Sequence, residues 1–82
     1  MLLLTRPDCP LCDEFAEELA HEFPALAAAL YTADVDSRDD WRELYGRRIP
    51  VLLGADGAVW SEGVFDPAPI RRRLAAAAAG GL

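Results

Sequence analysis

Apolar and polar residues change rhythm along the chain, and each change marks an element. Leu2, Leu3 and Leu4 run unbroken to Thr5 and stop at Arg6-Pro7-Asp8, which predicts a short strand buried on both faces and ended by a loop. From Pro10 the period is helical. Cys12, Phe15, Ala16, Leu19, Ala20 and Phe23 recur every three or four residues, while Asp13, Glu14, Glu17, Glu18, His21 and Glu22 fill the other face. Pro10 suits the first helical position, where its missing N–H costs nothing, and Phe23-Pro24 ends the helix.

After an alanine-rich connector, Tyr31, Ala33 and Val35 alternate with Thr32 and Asp34, the period of a second strand leaving through Asp36 and Ser37. Either of those two residues can cap the next helix. Trp41, Leu44 and Tyr45 share one face of that helix, and Gly46 is placed to end it in a left-handed turn. Ile49 to Leu53 predicts a third strand, Gly54-Ala-Asp-Gly57 a turn, and Ala58 to Ser61 a fourth strand, together a hairpin. Asp66 before Pro67 opens a final helix with Ile70, Leu74, Ala77 and Ala78 inward and Gly80 beyond its end.

The order is β-α-β-α-β-β-α without internal repeat. Right-handed crossover makes the first two strands parallel neighbours, and the hairpin adds an antiparallel pair. The expected fold class is α/β: a mixed four-stranded sheet with helices on both faces, in a single domain spanning residues 1–82. A chain of this length buries roughly 60% of its unfolded surface, too little for two cores.

Charge narrows the partners. The net charge of −6 opposes binding to a phosphate backbone, so nucleic acid is not expected. The acids are uneven: residues 1–43 carry eleven Asp or Glu against three Arg, and residues 44–82 carry three against five. Three leucines after Met1 make neither a signal-peptide core nor a stretch approaching ~18 apolar residues, so no membrane association and a cytoplasmic location are expected. In that reducing setting cysteines at C-x-x-C spacing are catalytic or metal-binding more often than structural.

The two cysteines are Cys9 and Cys12, in the stretch T-R-P-D-C-P-L-C-D-E-F. Their spacing puts Cys9 at the mouth of the first helix and Cys12 in its first turn, so the sulfurs can bond without refolding. Free N–H groups and the positive end of the helix dipole favour a thiolate on Cys9, and Arg6 can add a positive charge. Asp8, Asp13 and Glu14 oppose it. The expected balance is a thiol pKa below ~8.5. Cys9 is then the nucleophile and Cys12 the resolving thiol. Two other readings stand beside this one. Half of a tetrahedral zinc site has the same spacing, although the remaining ligands are missing and His21 is the only histidine. Two inert core thiols are the other.

Arg48-Ile49-Pro50 opens the third strand, where a proline cannot donate to the ladder. Taken alone, the base rate of X-Pro bonds makes Pro50 trans.

Strand, C-P-x-C and a later x-x-Pro before a hairpin and final helix resemble the thioredoxin fold, and within it the glutaredoxin-like family. The resemblance spans nearly the whole chain. It implies a thiol-disulfide oxidoreductase working through Cys9 and Cys12, with Pro10 as a structural residue of the motif and no bound cofactor or metal. It implies a cis peptide at Pro50, and main-chain groups of Ile49 that hold the substrate's cysteine segment by β-augmentation. Arg6 matches a basic residue that contacts a glutathione carboxylate. Glu62-Gly63-Val64-Phe65-Asp66 matches the segment that holds the γ-glutamyl end, through Gly63 and Asp66. One glycine of that segment is Glu62 here, Leu11 replaces a usual Tyr, and Arg48 stands where Thr is common.

Arg47 and Arg48 are expected at the cleft rim, as attractors of an acidic peptide or a glutathione carboxylate, or simply as solvated loop residues. The expected partners are a disulfide-bearing protein or a glutathione mixed disulfide, with glutathione or a thioredoxin-type protein as reductant, and the chain is expected to be a monomer. An iron–sulfur cluster held by Cys9 thiolates between two chains is the alternative, which Pro10 opposes. A thioredoxin-like interaction domain without catalysis is the other.

Overall fold

The computed structural model describes residues 1–80. Its first strand, β1, is Leu2–Thr5, and the first helix, α1, is Pro10–Glu22. Pro24 bars Phe23 from helical geometry (φ −135°, ψ 67°), so α1 stops there and the Phe23 N–H closes its last turn on the Leu19 carbonyl at 2.8 Å. The alanine-rich connector is a second short helix, α2 (Pro24–Ala28). Proline at its first turn and three alanines explain why it winds where polarity alone gave no signal.

Strand β2 is Tyr31–Asp34, followed by a 3₁₀ turn at Val35–Ser37 and helix α3, Asp39–Tyr45. Neither Asp36 nor Ser37 caps α3, whose N-cap is Arg38 without a side-chain bond. The Asp36 carboxylate is taken by Arg6, and the Ser37 hydroxyl donates to the Asp34 carbonyl at 2.6 Å. Gly46 is right-handed (φ −55°, ψ −29°), not left-handed as the sequence suggested. Glycine fits there for a steric reason, since a Cβ would lie 2.5 Å from the Arg42 carbonyl oxygen.

Strand β3 is Val51–Leu53, β4 is Val59–Glu62 and helix α4 is Pro67–Gly80. Gly80 therefore belongs to the helix instead of following it, and Ala77 and Ala78 are exposed, leaving Ile70 and Leu74 as the apolar contacts. The expected face of α3 narrows likewise: Trp41 and Tyr45 pack inward while Leu44 is 58% exposed.

The four strands lie in the order β2-β1-β3-β4, with β1 parallel to β2 and the other pairs antiparallel. Alternation along β1 and β3 splits the core in two. Leu3 and Leu52, paired in register, meet Phe15 and Leu19 of α1 and Ile70 of α4 on one face. Leu4, Val51 and Leu53 meet Val35 and the α3 aromatics on the other. Each such buried side chain stabilises the fold by about 1.5–3 kcal/mol. Trp60 is the extra residue at an irregularity between β3 and β4, and its indole lies so near Gly54 that no Cβ fits there.

Register places the chemistry at one end of the sheet. Leu4 pairs with Val51, Val51 with Glu62, and Thr5 with Asp34. The exits of β1 toward Cys9, of β2 toward Asp36 and of β4 toward Gly63 thus share an edge with the entry of β3 from Ile49-Pro50. In open α/β sheets the carboxyl ends of parallel strands leave a crevice at such an end.

Candidate functional site

From Thr5 the chain turns through Asp8, the one described non-glycine residue with positive φ (56°), into Cys9, the N-cap of α1. Aspartate tolerates this left-handed geometry better than most residues. Pro10 follows at the first helical position. The Cys12 amide, one of the free N–H groups of the helix start, donates to Cys9 Sγ at 3.2 Å, and the Asp13 amide makes the first helical bond to the Cys9 carbonyl at 3.1 Å. The two sulfurs are joined as a disulfide, with the Cα atoms 5.2 Å apart. Cys12 is 2% exposed while Cys9 is only half-buried, which leaves the outer sulfur as the one a second molecule can reach.

Pro50 is buried, and its bond to Ile49 is cis, as the resemblance implied and against the trans reading from base rates. The Pro50 carbonyl accepts from the Gly63 amide at 2.9 Å, with Gly63 at φ 73°. Neither the N–H nor the C=O of half-buried Ile49 has a backbone partner among the described residues. The main-chain N–H and C=O beside the start of β3 are therefore not used by the ladder.

The charged residues are differently employed. Arg6 donates from Nε and Nη2 to the two Asp36 carboxylate oxygens at 2.7 and 2.9 Å, and from Nη1 to the Gly46 carbonyl at 3.1 Å. The Arg6 hydrogen bond, partly opposed by desolvation, holds the Asp36 carboxyl below its ordinary range, and Asp36 correspondingly raises Arg6. Arg48 pairs with Glu62, donates to the Leu44 carbonyl at 3.3 Å and lies 5.4 Å from the centre of the Tyr45 ring. The Asp66 carboxylate accepts from the Ala68 amide at 3.0 Å, at the start of α4. Arg47 has no carboxylate partner among the described residues. Arg6, Arg42, Arg47 and Arg48, with Glu43 and Leu44, line an open cleft of about 680 Å³; Cys9 and Pro50 are not in its wall.

A family model for the glutaredoxin-like domain (DUF836) matches residues 1–74. The chain belongs to this glutaredoxin-like family. A Northeast Structural Genomics target protein from X. campestris, solved by X-ray, is similar at 35% sequence identity and a TM-score of 0.71, over 92% of this chain and 95% of that one. No curated protein matches. Membership in the family agrees with the thioredoxin-like sheet order and with the Cys9–Cys12 pair, the redox-type feature of this glutaredoxin-like domain.

Strand register puts the two cysteines, Ile49, Pro50 and Gly63 at the same end of the sheet. The sequence did not show Asp36 and Gly46 as partners of Arg6. Asp36 looked like a helix cap, and no periodic signal ties residue 6 to residues 36 and 46. Among the described residues no helix is long and apolar enough to cross a membrane, and no group of three or more His, Cys, Asp or Glu is placed to hold a metal ion.

Proposed function

We propose that the chain is a thiol-disulfide oxidoreductase in which Cys9 exchanges with a substrate disulfide and Cys12 resolves the product. The carrying observation is the asymmetry of the pair: a half-buried outer sulfur at the helix mouth, bonded to a sulfur that is 2% exposed.

Starting from the reduced protein, the Cys9 thiolate attacks one sulfur of a substrate disulfide. A bond forms between Cys9 and that sulfur, the substrate S–S bond breaks, and the first product leaves as a thiolate that takes a proton from water. The Cys12 thiol, losing its proton to solvent, then attacks Cys9 Sγ and releases the second product thiol. The substrate has gained two electrons and two protons, and the protein holds the Cys9–Cys12 disulfide. The Cys12 amide aimed at Cys9 Sγ favours the thiolate that makes the first attack. The unpartnered Ile49 N–H and C=O support docking of an extended cysteine segment, which orients its sulfur.

Two glutathione molecules or one thioredoxin-type dithiol restore the reduced state, and the substrate is a disulfide-bearing protein or a glutathione mixed disulfide. The reaction needs no resident cofactor and suits a reducing, cytoplasmic setting. Gly63, Asp66 and Arg48 make internal bonds in the free chain, so any part they take in holding glutathione runs through their remaining groups.

Equilibration in redox buffers tests the reading. A two-electron transition at about −200 to −270 mV supports it. A pair that never interconverts between thiol and disulfide removes it.

A further inference from the structure

Arg6 is three residues from Cys9, and its side chain is bonded to two distant parts of the chain. Its guanidinium grips Asp36 through two nitrogens and the Gly46 carbonyl through the third. Asp36 is held a second time by Arg42 of α3, whose Nε reaches the carboxylate at 3.3 Å and whose Nη2 reaches the Asp36 carbonyl at 2.9 Å. A Cβ on Gly46 would lie 3.4 Å from Arg6 Nη2, a normal contact, so the arginine sits directly against this backbone. Bidentate geometry and shared partners set this cluster apart from ordinary surface pairs, which contribute little.

The cluster joins two segments that must be aligned for exchange. One runs from Arg6 to Cys9, and the other from Gly46 to Ile49 and Pro50. We propose that Arg6 and Asp36 are positioning residues: they form a clamp that sets the Ile49 N–H and C=O against Cys9, and Arg6 does not contact a substrate carboxylate. This rests on the exchange activity proposed above. It changes the specificity expected of the site, because the Arg6 nitrogens are each turned to Asp36 or Gly46 and the Asp36 carboxylate partly offsets the arginine's charge. Arg47, which has no carboxylate partner among the described residues, carries the attraction for anions instead.

The substitutions Arg6→Lys and Asp36→Asn test the clamp. Lysine keeps the charge of Arg6 but cannot hold both Asp36 oxygens and the Gly46 carbonyl. Each variant should lower kcat/KM by about 10-fold, mainly through KM. The loss should be equal for the neutral disulfide of N-acetylcysteine N-methylamide, which offers a backbone to Ile49, and for anionic glutathione disulfide, while the rate and pH profile of Cys9 alkylation by iodoacetamide stay as in the wild type. A loss confined to glutathione disulfide, with Asp36→Asn as active as the wild type, overturns the proposal in favour of direct substrate contact.

Amide hydrogen exchange gives a readout that does not depend on turnover. The Arg48 amide, bonded to the Tyr45 carbonyl, and the Gly63 amide, bonded to the Pro50 carbonyl, should exchange faster in both variants relative to Leu52 in mid-β3. Equal acceleration at all three amides, or none, overturns the clamp. A wild-type protein without any exchange activity overturns the oxidoreductase reading instead, and the amide data still decide the clamp.

Discussion

The Cys12 amide points at the Cys9 sulfur across the first turn of α1, at 3.2 Å, while the Cys12 side chain is itself buried behind it. Once the disulfide is reduced, that N–H would favour a thiolate on the outer residue. Cys9 in the reduced protein should titrate below the ordinary thiol value of ~8.5, read from the pH dependence of its alkylation. Asp8, adjacent in the chain, opposes that charge. Asp8→Asn keeps a residue tolerant of φ 56° and should move the titration further down. An unchanged or higher midpoint would show that the carboxylate does not act on Cys9.

Gly63 and Gly57 both need positive φ, at 73° and 83°, with open space where a Cβ would go. Alanine at either position should cost about 1–2 kcal/mol in denaturant unfolding. Only Gly63→Ala disturbs the bond to the Pro50 carbonyl. It alone should slow disulfide exchange, and equal exchange rates in the two variants would separate that contact from docking.

Phe15 is fully buried between the sheet and α4, with its ring 5.3 Å from that of Phe65 in an edge-to-face arrangement. Phe15→Ala should cost about 3–5 kcal/mol, a large share of the stability of a domain this small. A loss under about 1 kcal/mol in urea unfolding would mean the cavity collapses.

Asp36 and Asp40 are both held below the ordinary carboxylate value of 3.8, by hydrogen bonds from Arg6 and Arg38 respectively. A carboxyl with a lowered folded-state pKa contributes stability that is complete above its unfolded value and lost as pH falls through the folded one. Melting temperature should therefore fall as pH drops below the ordinary carboxylate value of 3.8, and Asp36→Asn should flatten part of that fall. Parallel curves for the variant and the wild type would remove Asp36 as a contributor.

Much of this was legible in the chain. The three- and four-residue spacing of Cys12, Phe15 and Leu19 announced α1 because that helix buries one face only, and the Leu2-Leu3-Leu4 run announced a strand packed on both sides. The alanines of 25–29 and 75–78 misled for a shared reason: alanine fits a buried face, an exposed face and a connector equally well. Hence α2 was missed and the inward reach of α4 was overestimated. The dithiol declared itself because its two members are close in sequence. The Arg6–Asp36–Gly46 cluster did not, since charge pairing across 30 and 40 residues leaves no periodic trace.

The assignment of Cys9 as nucleophile and Cys12 as resolving thiol is tested most directly by mass spectrometry of two reduced single variants offered glutathione disulfide. Cys12→Ser should accumulate one stable glutathione adduct on Cys9, whereas Cys9→Ser should stay unmodified over the same period because its remaining sulfur is buried. Rapid modification of Cys9→Ser, or a Cys12→Ser protein that forms no adduct, would contradict the account.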